Sequence, residues 1–236
     1  MDETEFETIS LQYPLLKSGR IVTSLGRSSA GKTTICIKII QNYQKLFGSP
    51  LAKCILVVKA PNQPIITALI DHLKSQGVKI ILFTKGLCEE VFSALASLKR
   101  SPDGKTVVFF DDLLGDFLLR KSNYEQQLIT FFTVRVHHND LSLFVTLQNA
   151  SVSSKLLQLL LMNSSYFVLS FYNSNVFSST AIYIQKSLFP GSSRNLISRV
   201  VAYLKKNHKS YALFDCAMGN IFTDILEKYV TLLRVE

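Results

Sequence analysis

The segment Gly26-Arg27-Ser28-Ser29-Ala30-Gly31-Lys32-Thr33 fits the pattern GxxxxGK[ST] without a mismatch. Chance would place such a match in a chain of this size with odds of roughly one in a hundred. The chemistry it serves is phosphate binding. The glycines let backbone N–H groups close around a β-phosphate at the positive end of a helix, and the lysine, Lys32, reaches the β- and γ-phosphates. The Thr33 hydroxyl is of the type that ligates Mg²⁺. Gly26 to Thr33, together with Thr34, are therefore the candidate nucleotide-binding residues. A Gly-rich turn with a surface lysine is the alternative. It leaves unexplained why a β-rich run precedes the loop and helical spacing follows it.

About eighty residues further on, Val107-Val-Phe-Phe-Asp111-Asp112 is an apolar run ending in acid, the form of a Walker B strand. Asp111 is placed to hold Mg²⁺ where the strand emerges beside the phosphates, and Asp112 to polarise an attacking water. Apolar runs ending in Asp are common, and this one gains its weight from the loop upstream. A third run, Leu141 to Leu147, ends in Gln148-Asn149. In P-loop ATPases with an extra strand between the other two, a polar residue at that point senses the γ-phosphate. Gln148 suits that role, whereas Asn149 reads better as a cap for the next helix.

These residues need a scaffold that brings three strand ends to one edge. Arg20 to Leu25 reads as a strand that stops at Gly26, and Ile35, Ile39, Ile40, Tyr43 and Phe47 mark the buried face of a helix ending at Gly48. Strands are expected at Cys54–Val58, Lys79–Phe83, Thr106–Phe110, Leu141–Leu147 and Tyr166–Ser170. Helices are expected at 64–75, 88–99, 124–132, 154–162 and 195–206, with a last strand at Tyr211–Phe214. The strands lack period-2 alternation, so they are covered on both faces, which implies a mostly parallel sheet.

Composition narrows the class. The 236 residues are 47% apolar and only 18% charged, which excludes a disordered chain. Cys36, Cys54, Cys88 and Cys216 form no CxxC pair, so neither a zinc ribbon nor a disulfide framework is expected. The acidic start is neither a secretory signal nor a transit peptide. The long uncharged stretch 156–185 is broken by asparagines and serines, so no membrane span is expected. The net charge of +9 is uneven: Tyr124–Leu213 holds two acids against eight Lys/Arg, a bias that suits a polyanion partner. In the tail, Arg194, Arg199, Lys205 and Lys206 lie off the apolar stripe of a helix and are candidate phosphate-backbone contacts. A plain solvated face is the other reading. His137 and His138 are adjacent, point apart and lack a third ligand, and Asp71/His72 has no nucleophile nearby, so neither pair carries catalytic weight.

Gly26–Thr33, Asp111-Asp112 and the stretch Arg135-Val-His-His-Asn-Asp-Leu-Ser-Leu-Phe-Val-Thr-Leu-Gln148-Asn149 together resemble the FtsK/HerA superfamily of DNA-pumping ATPases. Within it, the chain looks most like the poxvirus-type genome-packaging ATPases, also carried by Polinton/Maverick elements and related viruses. The resemblance covers about 20–172. It departs from the family in the loop filling Arg27-Ser28-Ser29-Ala30, in Asp112 where many members have Glu, and in Ala150-Ser-Val-Ser after the sensor strand.

The resemblance implies a RecA-like α/β P-loop domain with helices on both faces of the sheet and the Gln148 strand between the P-loop and Walker B strands. It implies one domain: 1–19 an N-terminal extension, 20–172 the ATPase core, 173–236 a basic helical segment with the last strand. It further implies ATP as substrate, Mg²⁺ as cofactor, and translocation of double-stranded DNA into a capsid by a homo-oligomeric ring, a pentamer or hexamer. A capsid or portal component would be its partner, with no membrane, inside the host cytoplasm or nucleus and transiently with the virion. Arg135, thirteen residues before Gln148, corresponds to an arginine that projects into the neighbouring subunit's nucleotide site. A helix-end arginine facing water is the alternative. Two other functions stay open: another P-loop NTPase such as a helicase or nucleotide kinase, and a nucleotide-gated binding module with negligible turnover.

Overall fold

The computed structural model of the chain describes residues 8–9, 13–26, 29–118, 122–148, 154–170, 196–227 and 230–233. Strand β1 (Thr8–Ile9) precedes β2 (Ile21–Leu25), whose five residues are all buried. After the P-loop come α1 (Lys32–Gln41) and α2 (Tyr43–Phe47), which break at Asn42. Tyr43 and Phe47, spaced one turn apart, stack at 4.3 Å between ring centroids, so the expected single helical face survives the break. Then follow β3 (Leu51–Val58), α3 (Pro64–Ser75), β4 (Lys79–Phe83), α4 (Glu89–Ala96) and β5 (Lys105–Asp111). Pro64 opens α3 as the first helical residue, where its missing N–H has no bond to make.

Past β5 lie α5 (Leu114–Leu118) and α6 (Ser122–Thr130). A π-helical turn (Phe131–Arg135) and the short α7 (Val136–His138) continue α6 into β6 (Leu141–Leu147). The expected helix therefore runs further than its apolar spacing suggested. Phe131, Phe132 and Val136, all buried, keep the wider turn anchored to the core. Finally come α8 (Lys155–Asn163), β7 (Ser164–Ser170), α9 (Leu196–Lys206), β8 (Tyr211–Asp215), β9 (Asn220–Thr223) and β10 (Val230–Leu233).

All ten strands form one sheet, in the order β1-β10-β9-β8-β7-β2-β6-β5-β3-β4. From β7 to β4 every pairing is parallel, whereas β8, β9, β10 and β1 extend the sheet as antiparallel strands. As the resemblance implied, β6 lies between β2 and β5. Val107, Val108, Phe109 and Phe110 have no solvent exposure, the expected consequence of cover on both faces. One face packs on α1, α2 and α3 through residues such as Ile35, Ile39 and Leu69. The other packs on α4, the π-helical turn, α8 and α9 through Phe92, Phe132, Leu160 and Val200.

The expectation of one last strand was short by two. The antiparallel extension escaped notice because β9 and β10 are four residues each and their partners are set by a turn rather than by periodicity. That turn is built by Asp215, whose Oδ1 accepts from the N–H groups of Ala217 and Met218 at 3.0 and 3.2 Å. Among the described residues, no helix is long and apolar enough to cross a membrane.

Candidate functional site

Parallel strands put their C-terminal ends on one edge, and the P-loop, Asp111-Asp112 and Gln148 all follow such ends. Gly26 leaves β2 with its N–H donating to the Leu147 carbonyl at 3.3 Å. A Cβ there would come within 3.1 Å of the Ser170 carbonyl oxygen and 3.2 Å of Ala30 Cβ, so a side chain would fit only if these neighbours gave way by a few tenths of an ångström. Gly31 has a different reason. Its φ of 82° lies in the left-handed region, and it immediately precedes α1. The first turn of α1 carries no acidic residue and no side-chain cap, which leaves the partial positive charge of the helix N-terminus at the loop. Arg27 and Ser28 lie outside the described residues. Ser29 (φ 62°) and Ala30 complete the described part of the loop, with Thr34 half-buried behind it.

Across the cavity the carboxylates are held by hydroxyls. Asp111, 7% exposed, accepts from Thr33 Oγ1 at 2.8 Å and from Thr146 Oγ1 at 2.8 Å. The N–H of Asp112 donates to the same Thr146 Oγ1 at 3.0 Å, so one hydroxyl serves both acids, as donor to one and acceptor from the other. Asp112 sits at φ 55°, a conformation that a short polar side chain tolerates better than most. Its Oδ1 accepts from Gln148 Nε2 at 2.9 Å. The result is a continuous hydrogen-bonded series from Thr33 through Asp111, Thr146 and Asp112 to Gln148. It lines a cavity of about 360 Å³ that also receives Lys32 and Gln63.

Lys32 is 8% exposed. Burial pushes its ammonium pKa down, while the Asp112 and Asp111 charges pull it back up. Behind it, burial raises the Cys36 thiol, which is inert packing rather than a nucleophile. The oxygen set suits a hard cation: Thr33 Oγ1 and Asp111 Oδ1 lie 2.8 Å apart beside the first turn of α1.

Two lining residues carried no sequence expectation. Thr146 lies two positions before Gln148 on β6, hence on the same face, and that period was the available signal. Gln63 is the residue before α3 and reaches the cavity only through the β3–β5 pairing, for which no local signal exists.

Arg135 is not part of this cavity. It precedes β6, at the opposite end of the strand from Gln148, and its Nη1 donates to the Ala96 carbonyl at 2.7 Å and to the Leu95 carbonyl at 3.4 Å. These are the last carbonyls of α4, so the side chain caps a helix of its own subunit rather than facing water alone. His137 Nδ1 lies 3.4 Å from Arg20 Nη1, and its pKa is lowered by burial first and the Arg20 charge second. His72 Nε2 lies 3.2 Å from the Gln41 carbonyl and holds α3 to α1. In the tail, Arg199, Lys205 and Lys206 sit on α9, while Arg194 and Asn149 lie outside the described residues.

Neither a protein-family profile nor a curated protein matches the sequence. Among solved structures, the chain is similar to B204, the DNA-packaging ATPase from Sulfolobus turreted icosahedral virus. The TM-score is 0.55 at 14% identity, over 88% of this chain and 98% of that one. B204 from Sulfolobus turreted icosahedral virus 2, a genome-packaging NTPase in complex with sulfate, matches with a TM-score of 0.54 at 12% identity, over 88% and 96%. The same protein in complex with AMPPCP gives 0.53 at 14% identity, over 87% and 96%. At such identity the likeness is one of fold: a mixed α/β, mostly parallel sheet of the P-loop ATPase type.

Proposed function

With that fold as the frame, we propose that the chain is an ATP-hydrolysing motor of FtsK/HerA type that packages double-stranded DNA into a capsid. The observation that carries the reading is the hydrogen-bonded series Thr33–Asp111–Thr146–Asp112–Gln148 facing Lys32 across one cavity. A binding-only module has no use for a second, separately oriented carboxylate. Here Asp111 is engaged by Thr33, whereas Asp112 is exposed to the cavity and aimed by Gln148.

In this mechanism the first-turn N–H groups of α1 and the Lys32 ammonium bind the β- and γ-phosphates, with Gly26, Gly31 and the intervening loop shaping the cradle. Thr33 and Asp111 would hold Mg²⁺, which when bound would supply neutralising positive charge to the phosphates. Asp112 orients a water in line with the γ-phosphate and takes its proton at a carboxylate oxygen. Gln148, already on Asp112, would help orient that water and serve as the sensor of the γ-phosphate.

A homo-oligomeric ring, a pentamer or hexamer, would turn this cycle into movement of DNA, with a capsid or portal component as its dock. The site of action would be the host cytoplasm or nucleus, with transient association with the virion. Arg199, Lys205 and Lys206, with Arg194, supply sequence-independent phosphate contacts, which a pump that grips any sequence requires. Arg135 would act on a neighbour's nucleotide only by leaving its α4 carbonyls, or by acting through the position of α4.

The test is ATP hydrolysis with and without double-stranded DNA. Turnover that DNA stimulates is the expected result. Turnover indifferent to DNA would sink translocation, and tight ATP binding without turnover would make the chain a nucleotide-gated module.

A further inference from the structure

The cavity that receives Lys32 and the two acids has one lining side chain without an assigned task, Gln63. It belongs to the loop 59–63, which leaves the C-terminal end of β3. In the sheet order β2-β6-β5-β3, Asp111 and Asp112 end the strand that stands between that loop and the Gln148 strand. The acids are thus flanked by two amides. Gln148 is already bonded to Asp112, and Gln63 is uncommitted.

Local chemistry fixes where Gln63 stands. Pro64 restricts the residue before it to extended backbone, and Gln63 has φ −63° and ψ 132°. Pro61 stiffens the same loop, and the Gln63 N–H closes it as a turn on the Ala60 carbonyl at 3.3 Å. Gln63 is also the N-cap of α3, a position that favours the short side chains of Ser, Thr, Asp and Asn. Its longer amide forms no cap bond and no hydrogen bond with a described residue. The helix gives no reason for a glutamine there, whereas the cavity does.

The loop is also tied to the acids. Lys59 Nζ donates to Asp116 Oδ1 at 2.6 Å, and the Leu87 N–H donates to Asp116 Oδ2 at 3.0 Å. Asp116 lies on α5, which only the buried Leu113 separates from Asp112. Gly86 makes room for the contact: its φ is 72°, and a Cβ there would collide with the Asp116 carboxylate. One carboxylate therefore joins the loops after β3 and β4 to the helix after Asp112, and holds the Gln63 wall in fixed relation to the Asp112 wall.

We infer that Gln63 is a donor specific for the γ-phosphate, its amide N–H bonding an oxygen of that terminal group, and that Asp116 is the positioning residue that keeps it there. The inference rests on the reading of the cavity as a triphosphate site. Lys32 and the N–H groups of the P-loop serve the β- and γ-phosphates together. Gln63 enters instead from the flank of Asp111 and Asp112, where the terminal group would be cleaved. A neutral amide adds a donor there without neutralising either carboxylate, as a second lysine would. A donor facing an anionic oxygen also makes the stronger kind of hydrogen bond.

The experiment measures equilibrium binding of Mg²⁺-AMPPCP and Mg²⁺-ADP to the full chain and to Gln63→Ala, Gln63→Glu and Asp116→Asn. Gln63→Ala should weaken AMPPCP about tenfold or more, the scale of one hydrogen bond to a charged group, and leave ADP unchanged. Gln63→Glu should weaken AMPPCP further by repulsion. It should not lower the melting temperature of the nucleotide-free protein, because a carboxylate is favourable at the start of a helix. Asp116→Asn keeps an acceptor for Leu87 and removes the charge that holds Lys59, so it should lower the preference for AMPPCP over ADP to a lesser extent. Unchanged AMPPCP binding in Gln63→Ala, or equal losses for the two nucleotides, overturns the assignment. An unchanged preference in Asp116→Asn overturns its positioning role. If the unaltered chain binds neither nucleotide, it is the triphosphate reading of the cavity that fails, and the assignment with it.

Discussion

Gln148 donates its amide N–H to Asp112 Oδ1 at 2.9 Å, linking the residue after β6 to the residue after β5. The two strand ends are neighbours in the sheet, and the bond makes the exposed carboxylate a fixed feature rather than a swinging one. Asp112→Asn should therefore bind ATP almost normally and lose hydrolysis. Gln148→Ala should retain Asp112 but leave it unaimed, with turnover down roughly 10²-fold, the scale of a lost general-base contribution. Single-turnover hydrolysis beside equilibrium binding checks both, and near-normal turnover in Asp112→Asn would remove it from the machinery.

Thr146 ties the two acids together, and Thr146→Val tests that tie at nearly constant volume. The change leaves the Asp112 N–H without its acceptor and Asp111 short of a donor, at a cost of about 1–3 kcal/mol. Lower thermal stability with a matching drop in turnover is expected. Thr146→Ser, which keeps the hydroxyl, should restore turnover.

Lys32 is held for its ligand against the preference of the fold. Its folded-state pKa lies below its unfolded value, so the unfolded chain binds more protons between the two. Stability contributed at this position therefore rises as pH climbs through that window, and below it the buried charge is a burden. Lys32→Met should abolish nucleotide binding while raising the melting temperature of the nucleotide-free protein. A lower melting temperature would show that the attraction of Asp111 and Asp112 outweighs burial.

Arg135→Ala should destabilise the chain by about 1 kcal/mol through loss of the Ala96 carbonyl contact at the end of α4. A role in trans adds a separate signature. An Arg135→Ala subunit, with an intact P-loop, mixed with a Lys32→Ala subunit, with an intact arginine, should regain part of the ATPase activity. If mixed rings form and stay inactive, the arginine serves α4 alone.

Neutralising Lys205 and Lys206 together should weaken binding to all DNA sequences alike. The slope of log affinity against log salt should fall by about two, one per lost phosphate contact. An unchanged slope would return both lysines to a solvated helix face.

Much of the site was legible in short stretches of sequence. GxxxxGK[ST] encodes a loop whose backbone conformation and lysine are local properties, and the apolar runs ending at Asp111 and Gln148 mark strand ends by composition alone. The strand at 141–147 and the helix at 64–75 lie where residue pattern placed them, because burial on both faces or on one stripe leaves a direct imprint; the strand at 79–83 also lies where its apolar run placed it, but at the sheet edge with none of its residues buried. What joins those pieces is not local. Thr33 and Asp111 are 78 positions apart, and the bridge from Thr146 to Asp111 spans 35. Such bonds depend on which strands are neighbours, and a strand's own residues do not name its partner. The same holds for Arg135, whose α4 carbonyls lie about forty positions upstream. It holds too for the segment 224–227, carried to the P-loop edge because β9, too short to announce itself, runs back antiparallel to β8. Composition sets what each segment can do. Only the pairing of distant backbones decides which of those capacities meet.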